Sequence, residues 1–288
     1  MFNKIGLIAK RDDVRVGETL TRLLELFAAR AIDVVIDESS DTLTSFAATR
    51  TVTRETLAEE CDLAVIIGGD GTFLNAARSL AGKQIRLLGI NMGRLGFLTD
   101  VVPEEMHDVV SKILDGEFID EQRFLLSTSV RRDGERVLEV SALNEVVAHS
   151  WRIARLLEFE TYINGKQVNQ QRADGLIVST PTGSTAYALS SGGPILHPGI
   201  DALVLVPVCP HTLTSRPLVV QGDSKIEIVL LEGEQLEAQL TCDGQTTLKL
   251  SGGDRLEICK NPAALSLIHP SGYDFYATLR TKLNWGRG

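Results

Sequence analysis

Leu63-Ala64-Val65-Ile66-Ile67-Gly68-Gly69-Asp70-Gly71-Thr72 is the stretch on which the fold turns. Five apolar residues without a polar break suit a strand buried on both faces, the habit of a parallel sheet covered by helices. The glycines that follow let the backbone approach a ligand closely or adopt positive φ. With the start of a helix expected over Phe73–Leu80, the amides of such a turn make an anion site. The plain alternative is a strand-to-helix turn in which Asp70 caps the helix. A carboxylate in a loop that only cradles phosphate repels it. Asp70 has a use there if it accepts a proton from an attacking hydroxyl.

The flanking sequence repeats the strand–helix alternation. Ile5–Ala9 reads as a strand, Val16, Leu20, Leu23, Leu24 and Phe27 recur at helical spacing, and Ile32–Ile36 is a second β-rich run. Ile85–Ile90 resembles Leu63–Ile67, and Pro103–Leu114 reads as a helix. This order predicts an α/β domain with a mainly parallel sheet over residues 1–118. From Glu117 the pattern changes to short β-rich runs, among them Leu125–Arg131, Val137–Ala142, Glu158–Ile163, Leu176–Ser179, Leu203–Pro207, Lys225–Leu231 and Leu256–Cys259. Asp133-Gly134, Asn164-Gly165, Asp243-Gly244 and Gly252-Gly253 punctuate them as turns. An all-β sandwich is expected over 119–265. The remainder, 266–288, carries Tyr273, Tyr276, Leu279 and Leu283 at helical spacing, and a helix over Gly272–Trp285 is expected there, either a terminal helix of the second domain or a return onto the first.

Composition narrows the classes of function. The 288 residues are 43% hydrophobic and 23% charged, ordinary for a globular protein, and carry a net charge of −9. That charge disfavours nucleic acid, which needs a concentrated basic surface. It leaves small anions open, because amides, local cations and a metal can neutralise phosphate. Cys61, Cys209, Cys242 and Cys259 form no C-x-x-C pair or zinc spacing and read as reduced thiols. No run approaches the roughly 18–20 apolar residues that span a membrane, and Met1–Ile8 is too short for a signal peptide. A cytoplasmic protein is expected.

Three further stretches carry chemistry. Asn144-Glu145 breaks an apolar strand; it is either a solvent-facing edge or a polar pair aimed at a ligand. Ala173-Asp174-Gly175 precedes Leu176–Ser179 as a tight turn. Thr180-Pro181-Thr182-Gly183-Ser184-Thr185-Ala186-Tyr187 gathers small hydroxyls around a glycine and leads into a helix expected to run through Ser191. Such hydroxyls and amides suit nucleotide recognition without added charge.

Gly68–Thr72 resembles the G-G-D-G-T/S motif of a kinase superfamily that includes NAD kinases, phosphofructokinases, and diacylglycerol and sphingosine kinases. Thr180–Tyr187, with the order G-G-D-G-T, N-E, A-D-G, T-P-T-G-S-T-A-Y, resembles the NAD kinases specifically, from end to end of the chain. Pro207–Leu213 and Asp243-Gly244-Gln245 are also similar to segments of that family. The resemblance implies transfer of the γ-phosphate of ATP to the adenosine ribose 2′-hydroxyl of NAD. A divalent cation, magnesium or manganese, is implied as well, with no ligands specified. Asp70 then resembles the proton acceptor, and Gly68, Gly69, Gly71 and Thr72 the phosphate-binding turn. Asp70, Gly71, Asn144, Glu145, Arg155, Arg172, Asp174, the run Thr185, Ala186, Tyr187, Ala188, Leu189 and Ser190, and Gln245 correspond to NAD-binding positions. A homodimer or homotetramer with sites near subunit contacts is implied too. A lipid or sugar kinase of the superfamily would share Gly68–Thr72 but has no reason to carry Thr180–Tyr187. A nucleotide-sensing module would keep the pocket and dispense with Asp70.

Overall fold

Apolar side chains divide the chain between two units, residues 1–122 with 265–288, and residues 123–264. The structure is a computed structural model that describes residues 2–10, 14–43, 49–93, 96–151, 156–232 and 237–285.

In the first unit, β1 (Lys4–Ala9), β2 (Asp33–Asp37), β3 (Arg50–Val52), β4 (Leu63–Gly68) and β5 (Arg86–Asn91) are parallel, in spatial order β5-β4-β1-β2-β3. The helices are α1 (Val14–Ala29), α2 (Arg54–Glu60), α3 (Asp70–Leu80) and α4 (Met106–Leu114). The α1 stripe Val16, Leu20, Leu23 and Phe27 packs with Met106, Val110 and Ile113 of α4 over Leu7, Val65 and Ile90. On the opposite face Leu57 of α2 fills the space that a side chain at Gly6 would need. All six residues of β4 are buried, which is why its sequence is unbroken.

After β1 the chain moves outward to β2 and β3, then returns to the other side of β1 as β4. Winding reverses between β1 and β4. Gly68–Thr72 leaves the sheet at the carboxyl end of β4, at this switch point, where open α/β sheets take their ligands.

The second unit is antiparallel. β6 (Phe118–Arg132) and β7 (Glu135–Ala142) form a hairpin, followed by β8 (Glu145–Ser150), β9 (Leu157–Ile163), β10 (Lys166–Ala173) and β11 (Gly175–Ser179). After the single-turn helix α5 (Tyr187–Ser190) come β12 (Ala202–Val208), β13 (Leu218–Gln221), β14 (Ile226–Leu230), β15 (Ala238–Cys242), β16 (Thr246–Leu250) and β17 (Arg255–Pro270). One sheet runs β13-β12-β11-β8-β15-β16. The other contains β10, β9, β14 and the first part of β17. Phe159, Ile226, Ile228 and Leu256 of the second sheet share a core with Val146, Ala148, Val178, Leu205 and Leu240 of the first, the packing of a sandwich. Asp133-Gly134, Asn164-Gly165 and Asp243-Gly244 all have positive φ at both residues, as two-residue hairpin turns require.

The last residues of β17 pair in parallel with β5 in the first unit, Ser266 opposite Arg86. The chain ends in α6 (Phe275–Leu283), shorter than the expected Gly272–Trp285 and started by Asp274, whose Oδ1 accepts the Tyr276 amide at 2.8 Å. The helix expected from Pro103 begins at Met106.

Candidate active site

Gly68 ends β4, Gly69 is the N-cap of α3, and Asp70 is the first residue of that helix. None of Gly68, Gly69 and Gly71 has positive φ, so the glycines are not there for a left-handed turn. A Cβ on Gly68 would lie 2.6 Å from Thr72 Oγ1, so close packing demands glycine at that position. Gly69 and Gly71 leave open space where a Cβ would stand, room for a ligand to reach the backbone.

Asp70 does not cap α3. Its carboxylate accepts the Phe97 amide at 3.0 Å, the Leu98 amide at 3.3 Å and the Thr99 hydroxyl at 3.2 Å. Thr99 Oγ1 in turn accepts Asn91 Nδ2 at 2.9 Å. A side chain at Gly96 would collide with the Asp70 carboxylate. The turn after β4 and the segment after β5 are therefore joined through one aspartate. Beside them, a polar cavity of about 300 Å³ is lined by Arg15, Glu18, Thr19 and Arg22 of α1 and by residues 91–93 and 102–104.

In the second unit Asn144 and Glu145 are buried rather than edge-exposed. The Asp243 carboxylate accepts the amides of Leu143, Asn144 and Glu145 at 2.8, 2.8 and 3.2 Å. From the other side Thr180 Oγ1 donates to the Leu143 carbonyl at 2.6 Å, and its amide donates to the Asn144 carbonyl at 2.9 Å. Gly183 packs so closely on Asn144 that any Cβ would strike its carbonyl. The backbone at 143–145 is thus held on both sides. Asn144 Oδ1 and Glu145 Oε2 nevertheless remain buried with no hydrogen-bond partner among the described residues, a costly arrangement unless a ligand supplies donors. Burial, and then the charge of Asp243, push the Glu145 carboxyl up to about 8.

The hydroxyls of Thr180, Thr182, Ser184 and Thr185 are engaged within the protein, partly by their own loop and partly by Leu143, Leu196 and Arg123. Ser184 Oγ donates to the Pro181 carbonyl at 2.6 Å and accepts the Leu196 amide at 3.0 Å, while Arg123 Nη1 donates to Thr182 Oγ1 at 3.1 Å. Instead of a helix through Ser191, a 3-10 turn at Gly183–Thr185 breaks at Ala186 before the one turn of α5. Thr185, Ala186 and Leu189 are half-buried, Ala188 joins an apolar cluster, and Tyr187 and Ser190 are exposed.

The candidate NAD positions do not all meet. Ser179 lies opposite Glu145 in the β11–β8 register, whereas Gly175 lies opposite His149. Asp174, just before Gly175, is therefore roughly 17 Å along the strand from the Asn144–Glu145 end, at about 3.4 Å per residue. Asp174 is exposed, and the Cys209 thiol bonds it, which pushes the thiol pKa up. Arg172 is exposed as well, and its carbonyl accepts the His211 amide at 2.9 Å. Gln245 follows Asp243 in the β15–β16 turn, at the Asn144 end, since Cys242 pairs with Val146. Arg155 lies outside the described residues.

Residues 5–118 match the family of the ATP-NAD kinase N-terminal domain, and residues 143–270 that of the ATP-NAD kinase C-terminal domain. The chain belongs to the NAD kinase family. It is similar to the NAD kinase of Nitrosococcus oceani, 47% identical over 286 residues, 99% of this chain and 98% of that one. The NAD kinase of Saccharophagus degradans is 48% identical over 284 residues, 99% and 97% of the two chains. Among solved structures, the NAD kinase of Archaeoglobus fulgidus in complex with ATP superposes with a TM-score of 0.78 at 26% identity, covering 98% of both chains. Yeast NADH kinase complexed with NADH shares the fold, with a TM-score of 0.90 at 21% identity over 99% of this chain and 88% of that one.

Within this NAD kinase fold, sequence reasoning missed the segment after β5 and the double use of Asp243. Gly93 and Gly96 after a second buried strand were the available signal for the first. Asp243-Gly244 signalled a turn, and with Gln245 a family segment, but not the three amides that Asp243 holds.

Proposed function

We propose that the protein transfers the γ-phosphate of ATP to the adenosine 2′-hydroxyl of NAD, giving NADP and ADP, with Asp70 as proton acceptor. Family membership across both units carries the proposal. Gly68, Gly69, Gly71 and Thr72 bind phosphate, with the open space at Gly69 and Gly71 in support. The arginines of the adjoining cavity supply positive charge to the donor. Asn144 and Glu145 take hydroxyl groups of NAD on their two unpartnered oxygens. Gly71, Arg155, Arg172, Asp174, Thr185–Ser190 and Gln245 complete the acceptor positions. Because Asp174 and Asn144 stand at opposite ends of β11 and β8, a second copy of the chain would complete the set, in a homodimer or homotetramer.

Asp70 holds the attacking hydroxyl and takes its proton as the phosphorus–oxygen bond forms. A divalent cation, magnesium or manganese, would neutralise phosphate charge when bound with the nucleotide. Among the described residues no three His, Cys, Asp or Glu side chains converge into a metal site. A cytoplasmic location belongs to the same proposal and rests on the family resemblance; no described helix is long and apolar enough to cross a membrane, and the four cysteines are free thiols. The deciding experiment incubates the protein with ATP, Mg²⁺ and NAD and detects NADP with an NADP-specific dehydrogenase. Absence of NADP under conditions where the protein is folded would overturn the assignment.

A further inference from the structure

We propose that His269 is a positioning residue for phosphoryl transfer, fixing Asp100 and thereby the 97–99 segment that aims the Asp70 carboxylate. The proposal rests on the role given to Asp70 above.

His269, on β17, is 0% exposed. Its Nδ1 bonds the Asp100 carboxylate, and its Nε2 bonds Glu121 Oε2 at 3.1 Å. Each ring nitrogen thus meets a carboxyl group, and the two contacts lie on opposite sides of the ring. Tyr273 stacks on the imidazole, with ring centres 3.9 Å apart and planes 14° apart, which blocks rotation of the ring. The histidine is therefore fixed in place and in angle.

Asp100 follows Thr99 directly. Val101, next along, bridges to Ile90, and its carbonyl accepts the Asn91 amide at 2.8 Å. The segment is thus secured to β5 at Val101 and to β17 at Asp100. Its other side presents the amides of Phe97 and Leu98 and the Thr99 hydroxyl to Asp70 at 3.0 to 3.3 Å. Bonds of that length tolerate little further stretching. Losing the Asp100 anchor lets the three donors drift and the carboxylate swing with them. A misplacement of about 1 Å in a group that must meet a reacting hydroxyl costs on the order of 10²-fold in rate.

Two substitutions separate positioning from plain stability. In His269→Asn the amide nitrogen stands near the place of Nδ1 and keeps the Asp100 bond. In His269→Gln it stands near the place of Nε2 and keeps the Glu121 bond. Each loses one carboxylate partner, so melting temperatures should fall by similar amounts. The glutamine variant should lose about 10²-fold in kcat and the asparagine variant no more than about 10-fold, both with KM for NAD within about 3-fold of wild type. Equal kcat in the two variants, or rate losses that track melting temperature, overturn the proposal. If neither folds, Asp100→Asn decides: it keeps the size of the side chain but weakens the grip on His269, and wild-type kcat in that variant overturns the proposal too. Asp70→Asn belongs in the same assay. If it keeps its kcat, the role of Asp70 falls; if it is slow while the two His269 variants are equally fast, only the inference about His269 falls.

Discussion

Asp243 and Glu145 bring two carboxyl groups into one buried site: Asp243 Oδ1 accepts the Glu145 amide at 3.2 Å, and its charge adds to burial in raising the Glu145 carboxyl to about 8. Asp243 is satisfied by three amides, while Glu145, with Oε2 unpartnered, is the group that burial keeps protonated.

A pH dependence of stability follows. The ordinary value for Glu145 is 4.5, so between that and about 8 the unfolded chain has released a proton the folded chain retains. The folded state binds more protons there, and its stability falls as pH rises, by up to about 1.4 kcal/mol per pH unit. Glu145→Gln removes the titration. Without NAD, the melting temperature of wild type should drop relative to the variant from pH 5 to pH 8. A constant difference over that range would show that Glu145 ionises normally.

Asn144→Ala tests whether the unpartnered Oδ1 awaits a ligand. Removing a buried acceptor that bonds nothing costs the free protein little, so the melting temperature should hold or rise. If Oδ1 accepts a hydroxyl of NAD, KM for NAD should increase by roughly 10-fold. Lower stability with unchanged NAD kinetics would return Asn144 to a structural role.

What the sequence disclosed was what depends on near neighbours. Leu63–Ile67 could be placed because a strand buried on both faces leaves an unbroken apolar run. Asp133-Gly134 and Asn164-Gly165 could be placed because a two-residue hairpin needs positive φ at adjacent positions. The stretch Thr180–Tyr187 was recognisable as a motif, but its inward hydroxyl bonds depend on Leu143, Asn144 and Leu196, which no local pattern brings near. Asp243 binds amides 98 to 100 residues earlier, and His269 meets acids 148 and 169 residues away. Such bonds leave no periodicity and no spacing to read.

Gly71→Ala separates helix propensity from ligand access. Gly71 lies in the first turn of α3, and a Cβ there meets nothing within 4 Å. Alanine favours a helix over glycine by up to about 1 kcal/mol, so the variant should melt at a slightly higher temperature. If phosphate approaches the backbone at this point, the new methyl group obstructs it, and KM for ATP should rise severalfold. A stabilised variant with unchanged ATP kinetics would place the phosphates elsewhere.

Asp70→Asn tests the mechanism most directly, and the bonds around Asp70 change what it should do. Aspartate accepts from Phe97 and Leu98 amides on its two oxygens, and asparagine has one oxygen and one amide group. One backbone donor must then face another donor, so some stability is lost, about 1–3 kcal/mol by the cost of an unmet buried hydrogen bond. Loss of a proton acceptor adds a kinetic defect of about 10²–10⁴-fold in kcat. Thr99→Val separates the two effects. It removes one of the three bonds to the carboxylate but leaves the charge in place, so its kcat should fall by no more than about 10-fold. If Thr99→Val is as slow as Asp70→Asn, the aspartate serves to hold the segment after β5. If Asp70→Asn is far slower at matched stability, the carboxylate itself takes part in the transfer. Near wild-type kcat in Asp70→Asn would remove Asp70 from the chemistry and leave it as a clasp between two turns.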